Sequence, residues 1–212
     1  VPKFTPPKGT GSPKGGGFRG GMGGMGGGGR QVQYSTDRTS ALVDHQGHLY
    51  HVPIDGKAVR LTKTSAEREL VTISPDGKHA AFVRGGNLYT VDAATQTERA
   101  LTSDGGENVR NGKASWVYFE ELFHRSWQAY WWSSDGKRIA FLRSDESPVP
   151  RFRLTDGIAA DQKLETTAYP KAGKPNPLVK LGVASTEDGS VRWVDLKDYP
   201  EKETLVVRAG FT

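Results

Sequence analysis

An all-β fold, a partial β-propeller, is what this chain predicts, and three observations carry the prediction. Beyond residue 30 the apolar residues fall in short runs of β type separated by Asp-Gly and Gly-Gly turns. The runs also repeat. Ala41-Leu42-Val43, Gly47-His48-Leu49-Tyr50-His51-Val52 and Arg60-Leu61-Thr62 are echoed by Ala81-Phe82-Val83, Gly86-Asn87-Leu88-Tyr89-Thr90-Val91 and Ala100-Leu101-Thr102. The two Leu-Thr pairs stand 40 residues apart, and a period of ~40–50 residues made of several short strands marks propeller blades.

The turn that introduces each unit recurs as well. Ser74-Pro75-Asp76-Gly77-Lys78 precedes the run at 80–83, and Ser134-Asp135-Gly136-Lys137 precedes the run at 139–142. Asp-Gly suits a tight hairpin, because glycine accepts the positive φ that such turns require. A fourth, weaker unit runs through 178–183, Thr186-Glu187-Asp188-Gly189, 190–196 and 204–208. The turn glycine steps from 77 to 136 to 189, and the longer first interval holds an insertion. Residues 31–212 thus amount to about four blades at ~45 residues each. Closed propellers take four to eight blades and open ones leave strand edges unpaired, so the reading is an incomplete propeller belonging to a longer protein.

Residues 1–30 differ in kind. Pro-Lys-Gly pieces lead into nearly unbroken glycine, a composition that cannot bury enough apolar area to offset its ordering entropy, so the segment reads as flexible. It carries Lys3, Lys8, Lys14, Arg19 and Arg30 and no acid, which accounts for the whole net charge of +5. Removing those five from 29 basic residues leaves 24 against 24 acidic ones, so residues 31–212 are formally neutral and show no electrostatic footprint for nucleic acid. A single Phe18-Arg19-Gly20-Gly21 resembles the Arg-Gly-Gly segments that bind RNA, but one copy is a weak signal. The chain has no cysteine, hence no disulfide framework and no thiolate nucleophile or ligand. No apolar run approaches the ~20 residues that span a bilayer. The amino end lacks the order of a secretory signal and begins with Val, as a mature or truncated product would.

Little of the usual chemistry is encoded. No Gly-x-Ser-x-Gly elbow is present, and the glycine-rich segment lacks the Lys-Ser/Thr ending of a phosphate-binding loop. His45, His48 and His51 alternate across a hairpin turn and His79 and His124 stand apart, so no shared metal and no cofactor is expected. Trp127, Tyr130, Trp131 and Trp132 could stack bases, yet Trp132 leads straight into a blade turn as Ile73 does, which favours core packing.

The insertion contains the one unusual constellation, Trp116-Val117-Tyr118-Phe119-Glu120-Glu121-Leu122-Phe123. Carboxylates set among apolar residues need a cation, a donor or a proton; the bland alternative is a short amphipathic turn with both acids in water. Adjacent side chains diverge by about 180° in a strand and about 100° in a helix, so both acids can address one ligand only from a helical turn or kinked loop. The spacing predicts a short helix over 116–124 with Ser115 as N-cap. Two carboxylates converging there would hold a primary ammonium by charge-assisted bonds.

These motifs together resemble the propeller of the dipeptidyl peptidase IV family of serine peptidases. The resemblance covers about residues 70–185 and rests on Trp116 to Leu122, Trp131-Trp132-Ser133 with Asp135-Gly136-Lys137, Asp145-Glu146-Ser147-Pro148-Val149-Pro150, and Tyr169-Pro170-Lys171-Ala172-Gly173-Lys174-Pro175-Asn176-Pro177. It implies an eight-bladed propeller capping an α/β-hydrolase domain, in an enzyme that removes amino-terminal Xaa-Pro or Xaa-Ala dipeptides. It also implies that Glu120 and Glu121 bind the peptide's α-ammonium, and that segment 169–177 is structural. Phe119 stands where family members often carry a third acid. The resemblance places the catalytic Ser, Asp and His in the hydrolase domain, so no catalytic residue is expected in this chain. The family's carbonyl-binding propeller arginine has no secure counterpart, Arg30 and Arg38 both lying in poorly matching sequence. Family members are commonly secreted, periplasmic or membrane-anchored and often dimeric. Two other readings stay open at this stage: a propeller scaffold without an enzyme, and nucleic-acid binding through the glycine-rich segment.

Overall fold

The computed structural model describes residues 31–155 and 164–211; the segment read as flexible, 1–30, lies outside the described residues, as do 156–163 and 212. What is described is nearly all strand, arranged as antiparallel sheets that follow one another in chain order. The first sheet is β1 (Gln31–Tyr34), β2 (Ser40–His45), β3 (His48–Pro53) and β4 (Val59–Arg60). The second is β5 (Glu69–Ile73), β6 (His79–Arg84), β7 (Asn87–Asp92) and β8 (Glu98–Ala100). Each is a simple up-and-down meander in sequence order, the arrangement of a propeller blade.

In the third sheet the first strand is split. β9 (Val109–Asn111) and β10 (Tyr130–Trp132) lie end to end along the same edge of β11 (Arg138–Asp145), β9 opposite residues 143–145 and β10 opposite 139–141. On its other edge β11 pairs over its whole length with β14 (Leu178–Ser185), which pairs in turn with β15 (Val191–Trp193). A two-stranded hairpin, β12 (Arg151–Thr155) and β13 (Leu164–Ala168), branches off between β11 and β14.

This topology corrects the expected blade count. The run at 178–183, read as opening a fourth unit, belongs to the third sheet, and residues 204–208 form no strand but pack beneath it. Two excursions, at 112–129 and 146–177, stretch a single sheet over the chain from Val109 to Trp193, about two blade periods. The described residues therefore hold three such sheets where about four were expected.

Alternation explains how the sheets stack. Ala80 and Phe82 of β6 face Leu42, Leu49 and Leu61 of the first sheet, whereas Ala81 and Val83 face Tyr130, Ile139 and Phe141 of the third. Both faces of β6 are dry, which is why its sequence reads as an unbroken apolar run and not as an alternating one. Burying each Phe, Val or Leu contributes roughly 1.5–3 kcal/mol. Between the second and third sheets the packing is also polar. The Tyr130 hydroxyl donates to the Leu70 carbonyl and lies 2.9 Å from Thr72 Oγ1, to which the Trp132 indole N–H also donates at 2.9 Å. A bulge between Glu69 and Thr72, with Leu70 at φ 55°, turns that carbonyl toward Tyr130.

The connecting turns share one hydrogen-bond pattern. Asp76 Oδ1 accepts from the Ser74 hydroxyl at 2.6 Å and the Lys78 N–H at 3.1 Å, and Asp135 repeats both distances with Ser133 and Lys137. Gly77 and Gly136 take the expected positive φ, 70° and 69°. Asp37 does the same with Ser35 and Thr39, with Arg38 at φ 58° in the glycine position, a third copy that the missing glycine hides in the sequence. Among the described residues no helix is long and apolar enough to cross a membrane.

Candidate functional site

The excursion that splits the third sheet is closed at its base. Leu142 of β11 accepts the Gly112 N–H at 2.9 Å and donates to the Ala129 carbonyl at 2.9 Å, while Ala129 donates to the Gly112 carbonyl at 3.0 Å. The chain leaves the sheet and returns to it opposite one residue. Ala114 N–H then donates to Trp127 at 2.8 Å, and Lys113 pairs with Gln128 as an isolated bridge. Gly112 makes the exit at φ 75°, where a Cβ would meet Leu88 and Tyr130 side-chain carbons at 3.2 Å. Lys113 also forms an ion pair with Glu69, tying the base of the excursion to the second sheet.

Beyond this neck the backbone winds into a short helical turn. Phe119 N–H donates to Ser115 at 2.9 Å, a four-residue step, and Phe123 N–H donates to Tyr118 at 2.7 Å, a five-residue step. The turn therefore widens from α to π over Tyr118–Leu122. The expected helix is present, but Ser115 does not cap it. Its Oγ is buried without a hydrogen-bond partner, and only its carbonyl serves the helix.

Aromatic packing fixes the inner side of the turn. Tyr118 is 1% exposed, its hydroxyl accepting the Val206 N–H at 2.8 Å, and burial pushes its phenol up to about 12. Phe119 stacks on Trp127 with centroids 4.1 Å apart, and Phe123 sets its edge against Trp131 at 5.7 Å. This cluster rests on Leu142 and Val179 of the third sheet and is closed from below by Leu205 and Val206. Of the aromatic run singled out in the sequence, Trp127 and Trp131 pack here and Tyr130 and Trp132 pack toward the second sheet. All four are used as core.

Glu120 and Glu121 occupy the outer side of the same turn. The Glu120 side chain is 26% exposed and Glu121 is exposed. The turn ends in two consecutive left-handed residues, His124 at φ 48° and Arg125 at φ 65°, neither of them glycine. Such conformations cost roughly 1–2 kcal/mol per residue, and they are held by bonds from Arg125 N–H to Phe119 at 2.8 Å and Ser126 N–H to Phe123 at 2.8 Å. The reversal returns the Arg125 guanidinium to 3.3 Å from Glu120. Arg125 is thus a cation beside Glu120, one of the compensating groups that the sequence left open. Its spacing of five residues from Glu120 matches no α-helical pair, so only the π turn reveals it.

Other residues were missed for a similar reason, each being brought in from a distant strand. Arg110 Nε donates at 2.9 Å to Glu146, which is 4% exposed, anchoring the Asp145-to-Pro150 motif under β9. Burial raises the Asp104 carboxyl, but Arg143 at 2.6 Å and Asn111 at 2.9 Å outweigh it and hold the group below the usual carboxylate range. In the 169–177 motif, the Tyr169 ring packs edge-to-face with Trp116, centroids 6.2 Å apart, so this segment braces the start of the Glu-bearing turn. Arg38 is an exposed turn residue, and Arg30 lies outside the described residues. The histidines converge on nothing: His48 accepts from Arg60 at 3.1 Å and His79 lies 3.5 Å from Asp92, and no group of His, Asp and Glu among the described residues could hold a metal.

Comparison with known proteins places the chain in a family. The family model described as the dipeptidyl peptidase IV N-terminal region matches residues 30–212. The chain belongs to the dipeptidyl peptidase IV family. Within it, the chain is 39% identical over 142 residues to a probable dipeptidyl-aminopeptidase B of Arthroderma gypseum, covering 61% of this chain and 15% of that protein. A probable dipeptidyl-aminopeptidase B of Emericella nidulans is 36% identical over 152 residues, 66% of this chain and 17% of its own length. The fold superposes on the crystal structure of Porphyromonas gingivalis dipeptidyl peptidase 4 with a TM-score of 0.72 at 28% identity, over 85% of this chain and 27% of that one. The chain thus corresponds to the amino-terminal propeller region of family members and spans about a sixth of the length of the curated relatives it matches.

Proposed function

We propose that this chain is the substrate-gating propeller part of a dipeptidyl-peptidase-like serine exopeptidase, and that Glu120 and Glu121 dock the free α-ammonium of the peptide substrate. The observation that carries the reading is the placement of two neighbouring carboxylates on one short turn, anchored by buried aromatics on its inner side and open on its outer side. A primary ammonium offers three donors, and two carboxylates fixed on a rigid turn satisfy two of them with charge-assisted bonds. Docking the amino end at a fixed place counts residues inward, so an exopeptidase acquires its register from a site that takes no part in the chemistry.

Cleavage belongs to an α/β-hydrolase domain of the same protein, which supplies the Ser, Asp and His, and the products are amino-terminal Xaa-Pro or Xaa-Ala dipeptides. The names of the relatives support this reading, since those proteins are dipeptidyl-aminopeptidases and a dipeptidyl peptidase. Each carboxylate bond is worth roughly 1.5–3 kcal/mol. In the complete protein, Glu120→Ala or Glu121→Ala should therefore lower kcat/KM for an Ala-Pro chromogenic substrate about 10- to 150-fold, with the unfolding midpoint unchanged. Wild-type turnover by either variant would refute the assignment.

A further inference from the structure

The Arg125 guanidinium stands 3.3 Å from the carboxylate to which an ammonium is assigned. Nothing in regular helix geometry would put it there. Five residues along an α-helix is about 140° around the axis, on a different face. Arg125 reaches Glu120 because the turn widens to π and because His124 and Arg125 both take left-handed backbone, an expensive reversal that glycine would have made at less cost. Arg125 is itself 73% exposed and meets Glu120 through one nitrogen, without the two parallel bonds of a tight arginine clamp. A solvated contact of this kind is weak and displaceable. Glu121 on the same turn has no ion-pair partner among the described residues.

We propose that Arg125 is a resident competitor for the ammonium site: it occupies Glu120 in the empty protein, is displaced when a peptide amino terminus docks, and so sets how strong a cation the site admits. This inference rests on the reading of Glu120 and Glu121 as the amino-terminal dock. Glu121 takes the incoming ammonium first and Glu120 completes the grip as Arg125 swings into solvent. The pair then discriminates against cations that can satisfy only one carboxylate. Such a residue makes no contact with reacting atoms; it is a specificity determinant acting through Glu120.

The test is steady-state kinetics of the complete protein on a Gly-Pro chromogenic substrate at low and high salt. Arg125→Gln keeps the stem and removes the charge, Arg125→Lys keeps a cation, and Glu120→Gln tests the dock itself. An exposed ion pair is worth at most about a fivefold change in an equilibrium constant. Arg125→Gln should accordingly lower KM by up to about fivefold at low salt, leave kcat within about twofold, and lose its advantage in high salt as screening weakens the pair in the wild type. Arg125→Lys should stay near wild type, and adding Arg125→Gln to Glu120→Gln should have no further effect. An unchanged or raised KM in Arg125→Gln, with Glu120→Gln still raising KM, overturns the competitor role alone. If Glu120→Gln leaves KM untouched, the dock and the competitor fall together.

Discussion

The second sheet and the 112–129 excursion draw on the same apolar residue types and use them in opposite ways. In the second sheet Ala80, Phe82, Ala81 and Val83 alternate between two dry faces, every strand neighbours the next, and β6 pairs with β7 in an unbroken register. In the excursion the aromatics all turn inward on one side of a strained turn, leaving two acids and an arginine outside. The lesson is a division of labour. Repetition builds a stack from regular strand pairing, and an excursion that breaks the repeat holds the two consecutive left-handed residues beside the charged groups.

Substitutions can sharpen that contrast. The largest effect belongs to the stack: Phe82 is fully buried, stacked on Tyr89 at 5.5 Å, with Arg84 5.5 Å from its ring. Phe82→Ala should cost about 3–5 kcal/mol, read as a lower denaturant midpoint. A loss under 1 kcal/mol would mean that the sheets do not stack as described. Next comes the excursion. Tyr118→Phe leaves the Val206 N–H without its acceptor and should cost about 1–2 kcal/mol. It should also raise KM, because the turn loses its anchor, whereas Phe82→Ala should leave KM alone in whatever fraction remains folded. Equal effects of both on KM would dissolve the distinction.

The smallest effect is that of the turns. Asp188 is held down to about 2 by the Ser190 N–H at 2.9 Å and by the Ser185 and Ser190 hydroxyls. Ser35 lowers Asp37, and Ser133 lowers Asp135, in the same manner. An unfolded aspartate titrates near 3.9. A carboxyl depressed in the folded state stabilises fully above about pH 4, and that contribution is lost as pH falls through about 2. The unfolding midpoint should decline across that window and decline less in Asp188→Asn. Identical acid profiles for the variant and the wild type would remove Asp188 from the account.

What was legible in the sequence follows the same line. The repeated strands could be read because each blade solves the same burial problem with the same alternation, so 41–62 and 81–102 look alike. The blade count went astray where one sheet is built from distant pieces, since pairing β11 with both β9 and β14 leaves no local trace. The short helix was legible from the adjacent acids, which can converge only from a helical turn or kinked loop. Its π widening was not, because no residue type encodes a five-residue step, and Ser115 was assigned a cap although its hydroxyl points into the core. Arg125 was out of reach for the same reason: His124 and Arg125 adopt a left-handed turn that glycine or asparagine would have announced.

One measurement bears most directly on the claim that this excursion recognises a free amino terminus. It is the ratio of kcat/KM for Ala-Pro chromogenic substrate to that for its N-acetylated form, in the complete protein and in its Glu120→Gln, Glu121→Gln double variant. The wild type should prefer the free amine by a factor of about 100 or more, as expected for two charge-assisted bonds, and in the double variant the ratio should fall toward one. A double variant that keeps the wild-type preference would show that the amino terminus is read somewhere else.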